Sequence, residues 1–158
     1  MATRDHTMLY QCGALPFCIA ANGEVRILLV TTRGARRWII PKGWPIRNLT
    51  QAATAAQEAY EEAGLVGSVV GEQPIGLYHY EKRHNARRTT YEVAVFLFAV
   101  ERQLRHWPEK AERQTRWFTP AEASAAVDSP ELADILTSAL AGLRAPRALD
   151  LPTVGQWR

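Results

Sequence analysis

The chain reads as an α/β domain, and three features of its 158 residues point there. Apolar stretches with strand character alternate with Ala- and Glu-rich helical ones, an Asn-Gly pair joins the first two strands, and one helical segment gathers small residues on a single face. With 47% hydrophobic and 22% charged residues, the composition fits one globular domain able to bury a sizeable core. We take 1–158 as that domain, with a core over 10–143 and a tail, 144–158, ordered only if it docks.

Residues 12–20 (CGALPFCIA) and 25–32 (VRILLVTT) read as two strands, and Asn22-Gly23 between them is a hairpin-turn signal. Cys12 and Cys18 would face the same way along an extended strand and lie too far apart to bridge. Both are therefore expected as reduced core thiols. RWIIP is a short apolar run stopped by Pro41, and KGWPIRN is a loop punctuated by Gly43 and Pro45. A helix is expected from Thr50 to Ala63, with Asn48 or Thr50 as N-cap and Gly64 as a left-handed stop. Residues 67–82 have β character broken by glycines, 89–100 (TTYEVAVFLFAV) read as a long strand, and 115–120 (TRWFTP) hold a short one. Two helices, Pro120–Val127 and Pro130–Leu143, complete the series, and no internal repeat interrupts it.

Several classes of function are disfavoured. The opening MATRDHTMLY lacks the basic flank and apolar run of a secretory signal, and no apolar stretch reaches membrane-spanning length; a soluble, cytoplasmic protein without a membrane partner is expected. The net charge of +3 is small and no nucleic-acid motif is present. The basic residues are nevertheless clustered: Arg33, Arg36 and Arg37 in one group; Lys82, Arg83, His84, Arg87 and Arg88 in another. Such groups are either solvated loops or a surface for a polyanion.

The acids are clustered too, with Glu58, Glu61 and Glu62 falling within five residues of the first helix. Helical spacing puts Ala52, Ala56, Ala59 and Ala63 on one stripe and the glutamates on an arc roughly opposite. Each like-charge pair destabilises a helix by about 0.2–0.5 kcal/mol, and acids in the last turn oppose the helix dipole. Either the face is simply solvated, or a hard cation such as Mg²⁺, which prefers oxygen ligands, offsets the repulsion.

From Gly43 to Leu65, GWPIRNLTQAATAAQEAYEEAGL resembles the Nudix box in unbroken register. Gly43, Glu58, Glu61, Glu62, Gly64 and Leu65 match, and Ala59 stands in for the aliphatic residue. Leu49 replaces the first glutamate and Gln57 the arginine; the joint loss of an acid and a base leaves no orphan charge, so the change reads as one of scaffold. RRWIIPKGWP, KRHNARRTTYEVAVFLFAV and WPEKAERQTRWFTPAEA are similar to the diphosphoinositol polyphosphate and diadenosine polyphosphate hydrolase branch.

The resemblance implies a mixed sheet sandwiched between helices and Mg²⁺-dependent hydrolysis, with Mn²⁺ able to substitute. The bond broken would be a phosphoanhydride of a nucleoside, dinucleoside or diphosphoinositol polyphosphate. An RNA 5′ end, or a non-catalytic nucleotide sensor, is the alternative. It also implies Glu58 and Glu62 as metal ligands, Glu61 as a further ligand or the base, and the Gly43 carbonyl completing the set. Glu109 or Glu112 is an alternative base. Arg36, Arg37, Lys42, Lys82, Arg83, Arg87 and Arg88 become candidates for binding a small-molecule polyphosphate. Trp44 is either a stacking surface or a loop anchor; Trp38 and Trp117 are expected in the core. Tyr78 and Tyr80 line a cleft or cover it, and His79 and His84 lack the close carboxylate or cysteine company of a metal site and are not assigned as metal ligands.

Overall fold

A computed structural model describes residues 6–141. The elements are β1 (His6–Ile19), β2 (Val25–Thr31), β3 (Trp38–Ile39), β4 (Lys42–Gly43), α1 (Gln51–Ala63), β5 (Leu65–Val69), β6 (Gly76–His84), β7 (Arg87–Gln103), β8 (Thr115–Phe118), α2 (Pro120–Ala126) and α3 (Pro130–Ala141). Leu143, where the last helix was expected to end, and the tail 144–158 lie outside the described residues. No helix among the described residues is long and apolar enough to cross a membrane.

The strands form one mixed sheet centred on β1 and β7, which run parallel from His6 against Arg88 to Phe17 against Ala99. That pairing explains why β1 begins six residues earlier than its apolar pattern suggests: the partner strand, not local propensity, extends it. On its other edge β7 pairs antiparallel with β6 as far as Val95 and with β5 from Phe98 onward. On the far edge of β1, β2 pairs with Phe17–Ile19 and β4 with Cys12 and Gly13. The loop expected at Lys42 and Gly43 is therefore tied into the sheet.

Alternation along the strands sends even and odd positions of β1 and β7 to two separate cores. Cys12, Ala14, Ala94, Phe96, Phe98 and Val100 meet Ala55, Ala59 and Ala63 of α1. Leu15, Phe17, Val93, Val95 and Leu97 meet Ala123, Val127, Leu132 and Leu136 from α2 and α3. The result is the expected α/β sandwich, with α1 on one face and α2 and α3 on the other. Both cysteines are buried and free. Trp38 packs edge-on against Phe118 at 5.0 Å, and Trp117 lies against the α1-side core.

Thr50, not Asn48, caps α1: its side chain accepts from the Ala53 N–H at 3.1 Å, whereas Asn48 takes a left-handed turn at φ 68°. Gly64 ends the helix at φ 68°. The Trp107 ring lies where a Gly64 side chain would project, so this position needs glycine both for its backbone angle and for space. Gly64→Ala is expected to cost about 1–3 kcal/mol. Gly71→Ala, at φ 81° but in open surroundings, is expected to cost less. Urea midpoints of the two variants check the difference.

Candidate functional site

The site grows from the last two turns of α1. Glu58 tucks its carboxyl against Gly43 of β4, where any Cβ would overlap it, so the glycine is what lets helix and strand approach. Glu62 is 3% exposed. Its Oε2 accepts from the Lys42 N–H at 3.3 Å, and its Oε1 lies 3.3 Å from the Arg113 guanidinium. The acidic face is thus not a solvated arc opposite the alanines. At 100° per residue Glu62 falls only about 20° from Ala55 around the axis, so packing that buries the alanines takes Glu62 along. Glu61, like Glu58, is half-buried, and Gln57 Nε2 donates to its Oε1 at 3.2 Å. The other altered box position, Leu49, is exposed in the turn closed by its own N–H to the Ile46 carbonyl at 3.1 Å.

The segment between β7 and β8 clamps the end of the helix. The carbonyls of Glu61, Glu62 and Ala63, which a helix leaves without partners, accept from the Glu109 N–H (3.0 Å), Trp107 Nε1 (3.2 Å) and Gln103 Nε2 (3.0 Å). The same segment delivers Arg113, which donates to Glu109 Oε1 from Nε and Nη2 at 3.2 and 3.1 Å and to the Thr31 carbonyl at 3.1 Å. Arg33 also pairs with Glu109 and, at 3.6 Å, with Glu112. Arg113, Trp107 and Gln103 had no signal in the sequence, because each acts on α1 from 40 or more positions away.

Burial dominates the electrostatics. It pushes the Glu62 carboxyl up to about 8, with Glu58 and Glu109 adding to the rise and Arg113 and Lys42 opposing it. Glu58 is pushed up to about 7 by burial and by Glu61 and Glu109. Lys42, also buried, is lowered to about 8 despite Glu62. Both acids are therefore raised well above the ordinary carboxylate range, chiefly because burial disfavours their charged forms. Among the described residues no three His, Cys, Asp or Glu side chains are gathered as a ready-made metal cluster. The donor chemistry still fits a hard cation: two carboxyls, one of them filling the side-chain space that Gly43 leaves, beside the backbone of β4.

Of the basic residues singled out in the sequence, Lys42 is at the site. Its Nζ donates to the Tyr80 hydroxyl at 3.2 Å and lies over that ring at 4.6 Å. Lys82 is near enough to depress Lys42 further, with its Nζ 5.6 Å from the Tyr91 ring. Arg36 and Arg37 stand exposed between β2 and β3, Arg37 reaching Asp128 at 3.8 Å. Arg83, Arg87 and Arg88 occupy the exposed end of the β6–β7 hairpin, and Arg88 pairs with Glu81. Tyr78 is buried in the α2–α3 core, while Tyr80 lines the open part of the same face.

One reading needs correction. His79 does have carboxylate company: its ring nitrogens lie 3.0 Å from Glu92 and 3.1 Å from Glu131, which raise its pKa in that order, and Glu131 also accepts its N–H. Glu131 is 52 positions away, and nothing local relates the two residues. The contact ties the start of α3 to β6.

The NUDIX domain family matches residues 15–138. Among similar proteins, "Nudix hydrolase 17, mitochondrial" of Arabidopsis thaliana is 33% identical over 65% of this chain and 54% of its own length. "Diphosphoinositol polyphosphate phosphohydrolase 3-alpha" of Mus musculus is 29% identical over 67% of this chain and 62% of its own. The chain thus spans between half and two thirds of the length of these relatives. In fold it is similar to a C. elegans Ap4A hydrolase (TM-score 0.64, 16% identity, 86% of this chain and 98% of that one). A NUDIX hydrolase from Nitrosomonas europaea is similar too (TM-score 0.63, 21% identity, 96% and 98%).

Glu58 and Glu62 have folded-state pKa values above the ordinary 4.5, so their protonated forms favour the native state. Their stabilising contribution is complete below about pH 4.5 and is lost as pH rises through about 7 and 8. Lys42, lowered from 10.5, has the opposite sign, since its neutral form is favoured and stability returns from about pH 8 upward. The thermal midpoint of metal-free protein is expected to fall between about pH 5 and pH 8. Glu62→Gln, neutral throughout, should flatten that fall in the same scanning calorimetry series.

Proposed function

The chain belongs to the NUDIX domain family, and on that premise we propose that it hydrolyses a phosphoanhydride bond in a nucleoside, dinucleoside or diphosphoinositol polyphosphate. The observation that carries the proposal is the acid pair at the end of α1: Glu58, half-buried against Gly43, and Glu62, buried beside the Lys42 N–H, both with raised pKa values. Nothing else in the fold calls for two such groups at a helix end, where acids are already disfavoured.

In this reading Glu58 and Glu62 hold Mg²⁺, or Mn²⁺ in its place, with the Gly43 carbonyl as a further ligand. Bound there, the ion would neutralise phosphate oxygens and lower the pKa of its water. Glu61, on the outer side of α1 and steadied by Gln57, is the residue to take a proton from attacking water, or else to complete the ligand set. Glu109 is the alternative base: it is close enough to raise the pKa of both acids, and its pairing with Arg113 and Arg33 orients it.

Lys42 and Lys82 are best placed to meet the phosphates. Arg36, Arg83 and Arg87 extend the basic surface, and Arg37 and Arg88 would have to exchange Asp128 and Glu81 for substrate. The names of the relatives, an Ap4A hydrolase and a diphosphoinositol polyphosphate phosphohydrolase, support a polyphosphate substrate.

The test is a screen of purified protein with Mg²⁺ or Mn²⁺ against dinucleoside polyphosphates, nucleotide sugars, nucleoside triphosphates and diphosphoinositol phosphates, with products read by mass. Turnover on at least one anhydride is expected. Glu61→Gln should lower kcat by about 10²–10⁴-fold if it is the base, and Glu109→Gln by that factor if the role lies there. Glu58→Gln and Glu62→Gln should each raise the Mn²⁺ concentration needed for half-maximal rate. Absence of turnover on every anhydride would sink the proposal, and nucleotide binding without turnover would point to a sensor.

A further inference from the structure

The acid helix brings no cation of its own. Residues 51–63 contain no lysine or arginine, and Gln57 offers Glu61 only a neutral amide. Lys42 gives Glu62 its backbone N–H while its Nζ turns to the Tyr80 hydroxyl. The charge that touches Glu62 is the guanidinium of Arg113, a side chain only 11% exposed. Its Nη2 lies 3.3 Å from Glu62 Oε1 and 3.1 Å from Glu109 Oε1, and its Nε donates to the same Glu109 oxygen at 3.2 Å. We infer that Arg113 is the resident counter-ion of the acid site, standing in for a divalent ion in the metal-free protein and competing with that ion for Glu62. This rests on the reading of Glu58 and Glu62 as metal ligands.

The guanidinium is anchored from outside the acids. Its Nη1 donates to the Thr31 carbonyl at 3.1 Å, at the end of β2. Thr31 also holds the next residue along: its N–H donates to the Gln114 carbonyl at 3.0 Å, and its Oγ1 accepts the Gln114 N–H at 2.9 Å. The end of α1 is secured separately, since Gln103, Trp107 and the Glu109 N–H meet its last carbonyls. Loop and helix are thus tied together without the ion pair. What Arg113 adds is charge beside a carboxylate that burial makes costly to leave unpaired.

The sign of its effect on metal binding follows from charge. An ion taken up by Glu62 shares that buried carboxylate with the guanidinium, and cations side by side repel strongly where water is excluded. Against two charges on the ion and one on the carboxylate, at comparable distances, the guanidinium opposes the ion more than it favours the ionised acid. Such coupling is reciprocal, so neutralising Arg113 weakens the metal-free protein and tightens its hold on metal. A partner that merely oriented the ligand would act in the opposite sense, because its loss lowers metal affinity by about 10- to 100-fold.

Arg113→Gln removes the charge and keeps amide donors for Glu109 and Thr31. Calorimetric titration with Mn²⁺, and thermal melts with and without the ion at one pH, read the coupling without any substrate. The Mn²⁺ dissociation constant is expected to fall about 10-fold relative to the parent. The metal-free midpoint should drop, and saturating Mn²⁺ should raise it by more than it raises that of the parent. Arg113→Lys, which keeps the charge, should bind Mn²⁺ as the parent does. Equal Mn²⁺ shifts for Arg113→Gln and parent, weaker binding by Arg113→Gln, or Arg113→Lys binding as tightly as Arg113→Gln would each overturn the inference. Folding of Arg113→Gln only in the presence of Mn²⁺ is the expected result in its extreme form. Failure to fold even in saturating Mn²⁺ overturns it, since an ion that replaces the guanidinium restores the fold. No Mn²⁺ shift in either protein discards the metal site itself; a parent shift that Arg113→Gln leaves unchanged discards only the role of Arg113.

Discussion

Removing the Glu62 carboxyl from water is the constraint to which the rest of the molecule answers. An isolated buried carboxylate costs several kcal/mol, so the group must either find donors or take up a proton. Glu62 does some of each: it faces the Lys42 N–H and the Arg113 guanidinium, and its pKa still rises to about 8. Those contacts come from three separate segments: α1, β4 and the stretch between β7 and β8. Bringing them within hydrogen-bond reach sets the demands on nearby residues. Alanines on α1 allow close packing on the sheet, Gly43 makes room for Glu58, and Gly64 turns the chain beneath Trp107.

The same geometry resolves an apparent conflict in α1. A cluster of acids at a helix C-terminus opposes the dipole by about 0.3–1 kcal/mol for each charge and adds mutual repulsion. Yet the end of α1 is well secured, because its last carbonyls are met by Gln103, Trp107 and Glu109. The segment that satisfies the backbone also carries Arg113, which pairs with the buried Glu62 at 3.3 Å. Packing and electrostatics are therefore supplied by one piece of chain, and the acids remain where folding alone would not favour them.

On the opposite face of the sheet, the long parallel pairing of β1 and β7 has a different consequence. It carries both strands past the region covered by α2 and α3, leaving a strip of sheet that is neither core nor loop. Gln11, Tyr80 and Tyr91 sit on that strip, with Lys42 reaching it from β4. Burial of Lys42 there lowers its pKa to about 8, so it is a weaker fixed charge than a surface lysine and more responsive to an arriving anion. His79, tied to Glu92 and Glu131, belongs to the edge of the sheet and fastens α3 to it.

Periodicity, turn residues and the spacing of the glutamates were enough to determine the α/β class, the order of the principal elements, both caps of α1 to within two residues, and the identity of the acid helix. All of these depend on neighbours within a turn or a strand, where one residue type constrains the next. Only the tertiary structure decided which acids are buried, since that turns on how far α1 rotates against the sheet: Glu62 lies inward beside Ala55 while Glu61 is half-buried. It alone introduced Arg113 from 51 positions beyond Glu62, put Glu131 against His79, and aligned Trp44, Tyr91 and Tyr80 from three segments. Such contacts join residues with no local relation to one another, and strand register and helix docking, which set them, are properties of the packed whole.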